Sequence, residues 1–187
     1  MTKSLYIIGG AGAGKSTFMA NVLMKIDAEL GPLQDLHSKR NAKALVTLRG
    51  HAFREGVYLG KMRQEFPGTD GLDRASSTTA VDWLESGRLP RRIVGEGATL
   101  ATAPFLSSLS SYTELLVAHL VAPLETRRER GHERGSDQAE TFLVGTATRS
   151  ANLATKLRDT GVVVLDVDTT DEIDWEFKVD LAAWHVL

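Results

Sequence analysis

The sequence predicts an α/β fold, a doubly wound parallel sheet of about five strands with helices on both faces. Two observations predict it. Short apolar runs alternate along the chain with helical patterns, and a glycine-rich segment links the first apolar run to the first helical pattern. The length of 187 residues suits a single domain, 1–187, and the absence of cysteine excludes a disulfide scaffold, a Cys-ligated zinc site and a thiol nucleophile.

The spacing of apolar residues predicts the individual elements. Strands are expected over 5–8, 44–48, 57–59, 92–95, 115–121 and 162–167, with 44–48 and 57–59 forming a hairpin around 50–56. Helices are expected over 15–30, 76–85, 124–135, 141–157 and 171–187. The first should stop at Gly31-Pro32, the second should be capped by Ser76 or Ser77, and the last should pack Trp175, Leu181 and Trp184 onto the core.

The glycine-rich segment carries the strongest functional signal. Gly9-Gly10-Ala11-Gly12-Ala13-Gly14-Lys15-Ser16 fits the phosphate-binding pattern G-x-x-x-x-G-K-[ST] without a mismatch, and it has the required strand before it and helix after it. A chance glycine-rich turn is the alternative. We expect the segment to hold ATP, with Lys15 on the β/γ-phosphates, the Ser16 hydroxyl on Mg²⁺ and Thr17 near the α-phosphate. The full set of expected nucleotide-binding residues is Gly10, Ala11, Gly12, Ala13, Gly14, Lys15, Ser16 and Thr17.

A second metal-side acid is expected at the end of another strand. Glu96 follows the predicted strand 92–95, and ligands gather at the carboxyl ends of strands in open α/β sheets. Glu96 is therefore a candidate to support Mg²⁺ together with Ser16, or to orient the acceptor. The alternative is an ordinary solvated loop acid.

Four arginines follow the next core strand: Arg127, Arg128, Arg130 and Arg134. Cations that cover a transferring phosphoryl group neutralise the charge on its oxygens, so this segment is expected to form a lid over about 124–145. Arg127 and Arg130 are the candidate catalytic arginines. The alternative is a solvated helix in which glutamates pair with the arginines.

The polar loop after residue 66 carries two further carboxylates. Asp70 or Asp73 could accept the proton of an acceptor hydroxyl, as a general base does. An aspartate in a Pro-Gly turn more often bonds the backbone, which is the alternative for both.

Beyond these motifs, most of the chain resembles the small P-loop kinases of nucleosides and nucleotides, and within them phage-type kinases that act on 5-hydroxymethyluracil in DNA. Several short segments carry the closer resemblance. They are Leu59-Gly60-Lys61, Phe66-Pro67-Gly68-Thr69-Asp70, Gly95-Glu96-Gly97, Arg130-Gly131, the run from Gln138 through Glu140 and Thr141 to Gly145, Thr148-Arg149 and Asn152-Leu153-Ala154.

The resemblance implies transfer of the γ-phosphoryl group of ATP to the hydroxymethyl oxygen of the pyrimidine. It implies that Asp70 lies on the acceptor side, Glu96 on the metal side, and Arg149 and Asn152 near the acceptor or the lid. A base in duplex DNA would have to flip out. The net charge of −2 argues against tight DNA binding, although local basic strips are available from Lys39, Arg40, Lys43, Arg88, Arg91 and Arg92.

Two other functions stay open. One is a kinase of free nucleosides, nucleoside monophosphates or another small alcohol, and the other is a regulatory P-loop NTPase without an acceptor. No membrane partner is expected, because no apolar run approaches the length of a membrane helix. The expected location is the cytoplasm, which is the host cytoplasm if a phage encodes the chain, and the sequence leaves the oligomeric state open.

Overall fold

The computed structural model describes residues 1–40, 45–62, 68–136 and 138–187. Within these residues one sheet has the strand order β2-β3-β4-β5-β1-β6-β7. The strands β4, β5, β1, β6 and β7 run parallel, while β2 and β3 are antiparallel additions at one edge. The bounds are β1 (Lys3–Gly9), β2 (Leu33–Arg40), β3 (Leu45–Phe53), β4 (Gly56–Leu59), β5 (Arg92–Glu96), β6 (Glu114–Val121) and β7 (Val163–Asp168).

The α/β prediction is confirmed, but the count of about five strands is wrong, because the described residues form seven. The predicted hairpin is confirmed as β3 and β4, although residue 44 lies outside the described residues. The unpredicted strand is β2, a polar edge strand whose side chains are mostly exposed. An edge strand bonds on one side only and packs little against the core, so its sequence needs no apolar alternation.

Helices cover both faces of the sheet. Their bounds are α1 (Lys15–Lys25), α2 (Ser76–Glu85), α3 (Ala103–Tyr112), α4 (Leu124–Glu133), α5 (Glu140–Asp159) and α6 (Glu172–Val186). One apolar cluster lies between the sheet and the pair α1 and α6, and a second lies between the sheet and α2, α3 and α5. This is the doubly wound arrangement that the sequence predicts.

Three details of the helices differ from the sequence prediction. Helix α1 ends at Lys25 instead of residue 30, because Asp27 takes a left-handed conformation with φ 52°. Helix α3 (Ala103–Tyr112) was not predicted, since its four serines interrupt the apolar pattern. Helix α2 has Ala75 instead of Ser76 or Ser77 at its N-cap, and Asp73 accepts from the Ala75 amide at 2.8 Å in a turn before the helix.

The packing predicted for the last helix is only partly correct. Trp175 on α6 packs edge-to-face on Phe18 of α1, with ring centroids 5.1 Å apart. Trp184 instead points largely to solvent, and Leu181 is about one third exposed. Of the helices in the described part of the chain, none is long and apolar enough to cross a membrane.

Candidate functional site

The glycine-rich loop joins the central strand β1 to α1, so the N-terminus of the helix faces the carboxyl end of the sheet. Gly12 has φ +78°, and a Cβ there would stand 2.6 Å from the Arg127 carbonyl oxygen. The close approach of α4 therefore requires glycine at this position. The Ala13 amide bonds the Gly10 carbonyl at 3.2 Å, which closes a tight turn of the kind that directs backbone amides at an anion.

Lys15 lies folded over this loop. Its Nζ donates to the carbonyls of Gly9 and Gly10, both at 3.1 Å. Burial lowers the pKa of Lys15, while the negative charges of Asp70 and Glu96 act in the opposite direction. The two carboxylates that the sequence singled out thus lie near enough to the lysine to act on its charge.

Ser16 and Glu96 meet directly. The Ser16 hydroxyl donates to Glu96 Oε2 at 3.2 Å, and Glu96 is only 2% exposed at the end of β5. Burial raises the pKa of Glu96, and the bond from Ser16 and the charge of Lys15 counter part of this effect. The structure therefore brings together a hydroxyl and a carboxylate that the sequence assigned to one metal.

Tyr58 was missed by the sequence analysis. Its hydroxyl donates to Glu96 Oε1 at 3.5 Å from the neighbouring strand β4, so the glutamate has a partner on each oxygen. Burial is the main cause of the strongly raised pKa of Tyr58, which keeps the phenol protonated as a donor. In the sequence, Tyr58 is a tyrosine within an apolar strand, and this pattern does not distinguish a functional hydroxyl from that of an ordinary core tyrosine.

Asp70 lies in a short 3₁₀ helix (Thr69–Gly71) that approaches the end of β5. A Cβ on Gly68 would stand 2.6 Å from the Glu96 carbonyl oxygen, so only glycine allows this approach. Asp70 Oδ1 accepts from the Ala98 amide just after β5. The residues 68–72, here called the Asp70 segment, are therefore held against the loop that follows Glu96.

A buried hydroxyl pair fixes the same segment to β1. The Tyr6 and Thr69 hydroxyls bond each other at 2.9 Å, and the Tyr6 hydroxyl also donates to the Gly97 carbonyl at 3.0 Å. Neither residue was singled out from the sequence. Asp73, the alternative base, is exposed, and its Oδ1 accepts from the Ala75 amide.

The arginines that follow β6 have separate surroundings. Arg127 is buried, and its guanidinium donates to the carbonyls of Ala122 at 3.1 Å and Leu143 at 2.7 Å. Arg130 donates to the Thr169 hydroxyl at 2.9 Å and the Thr169 carbonyl at 2.8 Å, and it reaches the Gly12 carbonyl at 3.5 Å. Both predicted catalytic arginines lie against the P-loop, since Arg130 reaches Gly12 and a Cβ on Gly10 would stand 3.0 Å from Arg127 Nη1.

Arg134 is the arginine of this segment whose positive charge acts on Lys15. It is exposed at the end of α4, its Nε donates to the Arg130 carbonyl at 2.9 Å, and its charge lowers the pKa of Lys15. Arg128 is also exposed.

Helix α5 contributes contacts that the sequence did not indicate. The Thr146 hydroxyl accepts from the Ala11 amide at 3.0 Å, and a Cβ on Gly10 would stand 3.2 Å from Ala147. Arg149 and Asn152 on the same helix, implied by the family resemblance, are exposed. Of the resembling segments, Phe66 and Pro67 lie outside the described residues.

The fold and this loop together define a class of protein. A parallel sheet whose central strand enters G-x-x-x-x-G-K-S, with an acid at the end of the adjacent strand, is a P-loop nucleotide-binding fold. The chain belongs to the P-loop Nucleotide Kinase3 family, whose model matches residues 1–171. It is a nucleotide-binding phosphotransferase of the kinase type.

Two solved structures resemble the fold at low sequence identity. A shikimate kinase from Acinetobacter baumannii in complex with shikimate is 14% identical, with a TM-score of 0.44 over 97% of this chain and 91% of the other. An unliganded sugar kinase from Janibacter sp. is 12% identical, with a TM-score of 0.49 over 100% of this chain and 95% of the other. Among curated proteins there is no significant match.

Proposed function

We propose that the chain is an ATP-dependent kinase that transfers the γ-phosphoryl group to the hydroxymethyl group of 5-hydroxymethyluracil in DNA. One observation carries the transfer reaction. The P-loop residues Lys15 and Ser16, the buried Glu96 and the Asp70 segment converge at the carboxyl ends of β1 and β5. A nucleotide site and a carboxylate beside it are the two parts that transfer to a hydroxyl requires. The acceptor rests on the family resemblance of the segments around Gly68 and Glu96.

In this proposal the P-loop amides and Lys15 hold the phosphates of ATP. Lys15 exchanges its bonds to the carbonyls of Gly9 and Gly10 for phosphate oxygens, and the residues from Gly10 to Thr17 line the nucleotide. The amide of Ala11 is already bonded to Thr146, so a shift of α5 would free it for phosphate.

The donor set suits Mg²⁺. Ser16 Oγ and Glu96 Oε2 are hard oxygen donors 3.2 Å apart, and Mg²⁺ in kinases is held by one or two protein oxygens together with phosphates and water. Within the described residues no group of three His, Cys, Asp or Glu could hold a metal ion, and the proposed site requires none. When bound, Mg²⁺ would neutralise charge on the phosphates.

Asp70 serves as the general base of the proposal. Its Oδ1 is held by the Ala98 amide, and in this proposal Oδ2 accepts the proton of the attacking hydroxyl. Fixing one oxygen orients the other, which favours in-line attack by reducing the freedom of the reacting groups.

The segment of about 124–145 serves as the lid of this single domain. We assign Arg130 and Arg134 to the phosphoryl group, because Arg130 Nη1 reaches the P-loop carbonyl of Gly12 at 3.5 Å and the charge of Arg134 acts on Lys15. Arg127 has a structural role in this proposal, because its guanidinium donates to the carbonyls of Ala122 and Leu143 beside the P-loop. Arg130 also links α4 to Thr169. Closure of the lid would exclude water and limit hydrolysis of ATP.

DNA binding would need basic surface. Lys39 is paired with Asp82 at 2.6 Å, and Arg91 is paired with Glu55 at 3.3 Å. Arg40 and Arg88 are exposed, whereas Lys43 lies outside the described residues. The proposal therefore expects weak, salt-sensitive binding of DNA and recognition mainly of the flipped base.

The test is transfer of label from γ-labelled ATP with Mg²⁺. Parallel reactions contain DNA with 5-hydroxymethyluracil, unmodified DNA, and a panel of free nucleosides and nucleotides, and Lys15→Ala is the control. Label in the modified DNA alone supports the proposal. Label in a mononucleotide would instead indicate a metabolite kinase, and label released only as phosphate would indicate a regulatory NTPase.

A further inference from the structure

Helix α6 exposes a row of large apolar side chains. The exposed fractions are 84% for Ile173, 59% for Phe177, 37% for Leu181 and 77% for Trp184. Spacings of four, four and three residues place all of them on one side of the helix. These residues are called the α6 stripe below.

The opposite side of α6 is already apolar and packed. Trp175, Val179, Ala182 and Val186 belong to the core cluster that α6 and α1 form against the sheet. A surface helix normally has one apolar face, and a helix that is apolar on two sides is buried on two sides. The α6 stripe therefore indicates a second packing partner. The match to the family model ends at residue 171, directly before α6 begins at Glu172.

Ion pairs border the α6 stripe on both sides. Lys25 bonds Asp180 at 2.8 Å on one side, and Lys178 lies 3.5 Å from Asp174 on the other. An apolar centre with a polar rim is the usual anatomy of a protein–protein interface. Because these charges are paired within the chain, binding to the α6 stripe requires no partner of opposite charge. The α6 stripe of a second copy, which is apolar with the same paired charges, is therefore a compatible partner.

The area is also of the right size for self-association. The exposed fractions amount to roughly 500 Å² of side-chain surface, since large side chains present about 150–250 Å² each. Two copies would then bury about 1,000 Å², which is the lower limit for a specific interface.

We propose that a second copy of this chain covers the α6 stripe, in a dimer whose two α6 helices face each other across a two-fold axis. The same surface of each chain meets itself in such an interface, so it closes after two copies.

Mass measurement in solution tests the proposal. Light scattering on a sizing column at tens of micromolar should give twice the 20.3 kDa of one chain. The double variant Phe177→Ser, Trp184→Ser should give the mass of one chain and keep the far-ultraviolet circular dichroism of wild type, with a thermal midpoint lowered only by the stability that dimerisation adds. Leu45→Ser is the matched control. Leu45 is 66% exposed on β3, near the edge of the sheet opposite to β7, and its variant should stay dimeric.

Tryptophan fluorescence gives an independent readout. Of the three tryptophans, Trp83 is buried and Trp175 is packed on Phe18. A shift of emission to shorter wavelength as the protein is concentrated therefore reports burial of Trp184, and it should be absent in Trp184→Phe. Wild-type protein with the mass of one chain at these concentrations would overturn the proposal. A doubled mass that persists in the double variant would overturn it as well.

Discussion

Arg127→Ala separates support of the P-loop from contact with the phosphoryl group. Arg127 is 6% exposed and donates two hydrogen bonds to main-chain carbonyls, one of them at 2.7 Å. A hydrogen bond from a charged group contributes about 1.5–3 kcal/mol, so losing both should cost about 4 kcal/mol. For a protein of this size each kcal/mol lowers the midpoint by about 2–4 °C, which gives a fall of about 12 °C.

Thermal unfolding followed by circular dichroism measures this effect. Arg128→Ala is the matched control, since Arg128 is the exposed neighbour on the same helix and its loss should change stability by less than about 0.5 kcal/mol. Phosphoryl transfer is then compared at a temperature at which all variants are folded. A midpoint within about 2 °C of wild type, combined with lost transfer, would refute the reasoning and make Arg127 a catalytic arginine.

Three further predictions concern the proposed reacting groups. Lys15→Ala should lower transfer by about 10²–10³-fold, because a cation on the phosphates is lost; a wild-type rate would contradict the P-loop mechanism. Asp70→Asn should abolish transfer but leave the affinity for a fluorescent ATP analogue unchanged, and a parallel loss of affinity would argue against a base. Glu96→Gln should abolish transfer and stabilise the fold by about 1 kcal/mol at neutral pH. Because the pKa of folded Glu96 is raised above 4.5, wild type loses stability as pH rises through that pKa; the gap in midpoint between the two proteins should therefore shrink toward acidic pH, and a constant gap would count against a buried charge.

The parallel strands and most helices could be predicted from the sequence because their apolar spacing is local. Helix α2 has the predicted bounds, and β5 extends the predicted strand by one residue to Glu96. The failures lie where the apolar pattern is weak or interrupted. The edge strand β2 is polar because little packs on it, and the serines of α3 mask a helix whose hydroxyls bond main-chain carbonyls within it.

The nucleotide half of the candidate site was predictable because one contiguous motif encodes it. Glu96 could be proposed from its place at the end of a strand. The position of Asp70 could only be guessed, because it depends on the approach of Gly68 to Glu96, 28 residues away in sequence. The helical period places Arg127, Arg130 and Arg134 on one face, yet their partners are three different parts of the fold, which no periodicity reveals.

The two halves of the candidate site are joined through β1. This strand carries the P-loop at its end, and Tyr6 within it bonds both Thr69 beside Asp70 and the Gly97 carbonyl beside Glu96. In the proposed mechanism, the donor and acceptor sides are therefore held at a fixed distance by a residue that touches neither substrate. Because the Asp70 segment is anchored in this way, we expect the proposed lid to be the part that moves during a catalytic cycle. Replacement of the Tyr6 hydroxyl alone should then alter alignment, and hence the maximal rate, more than the affinity for ATP.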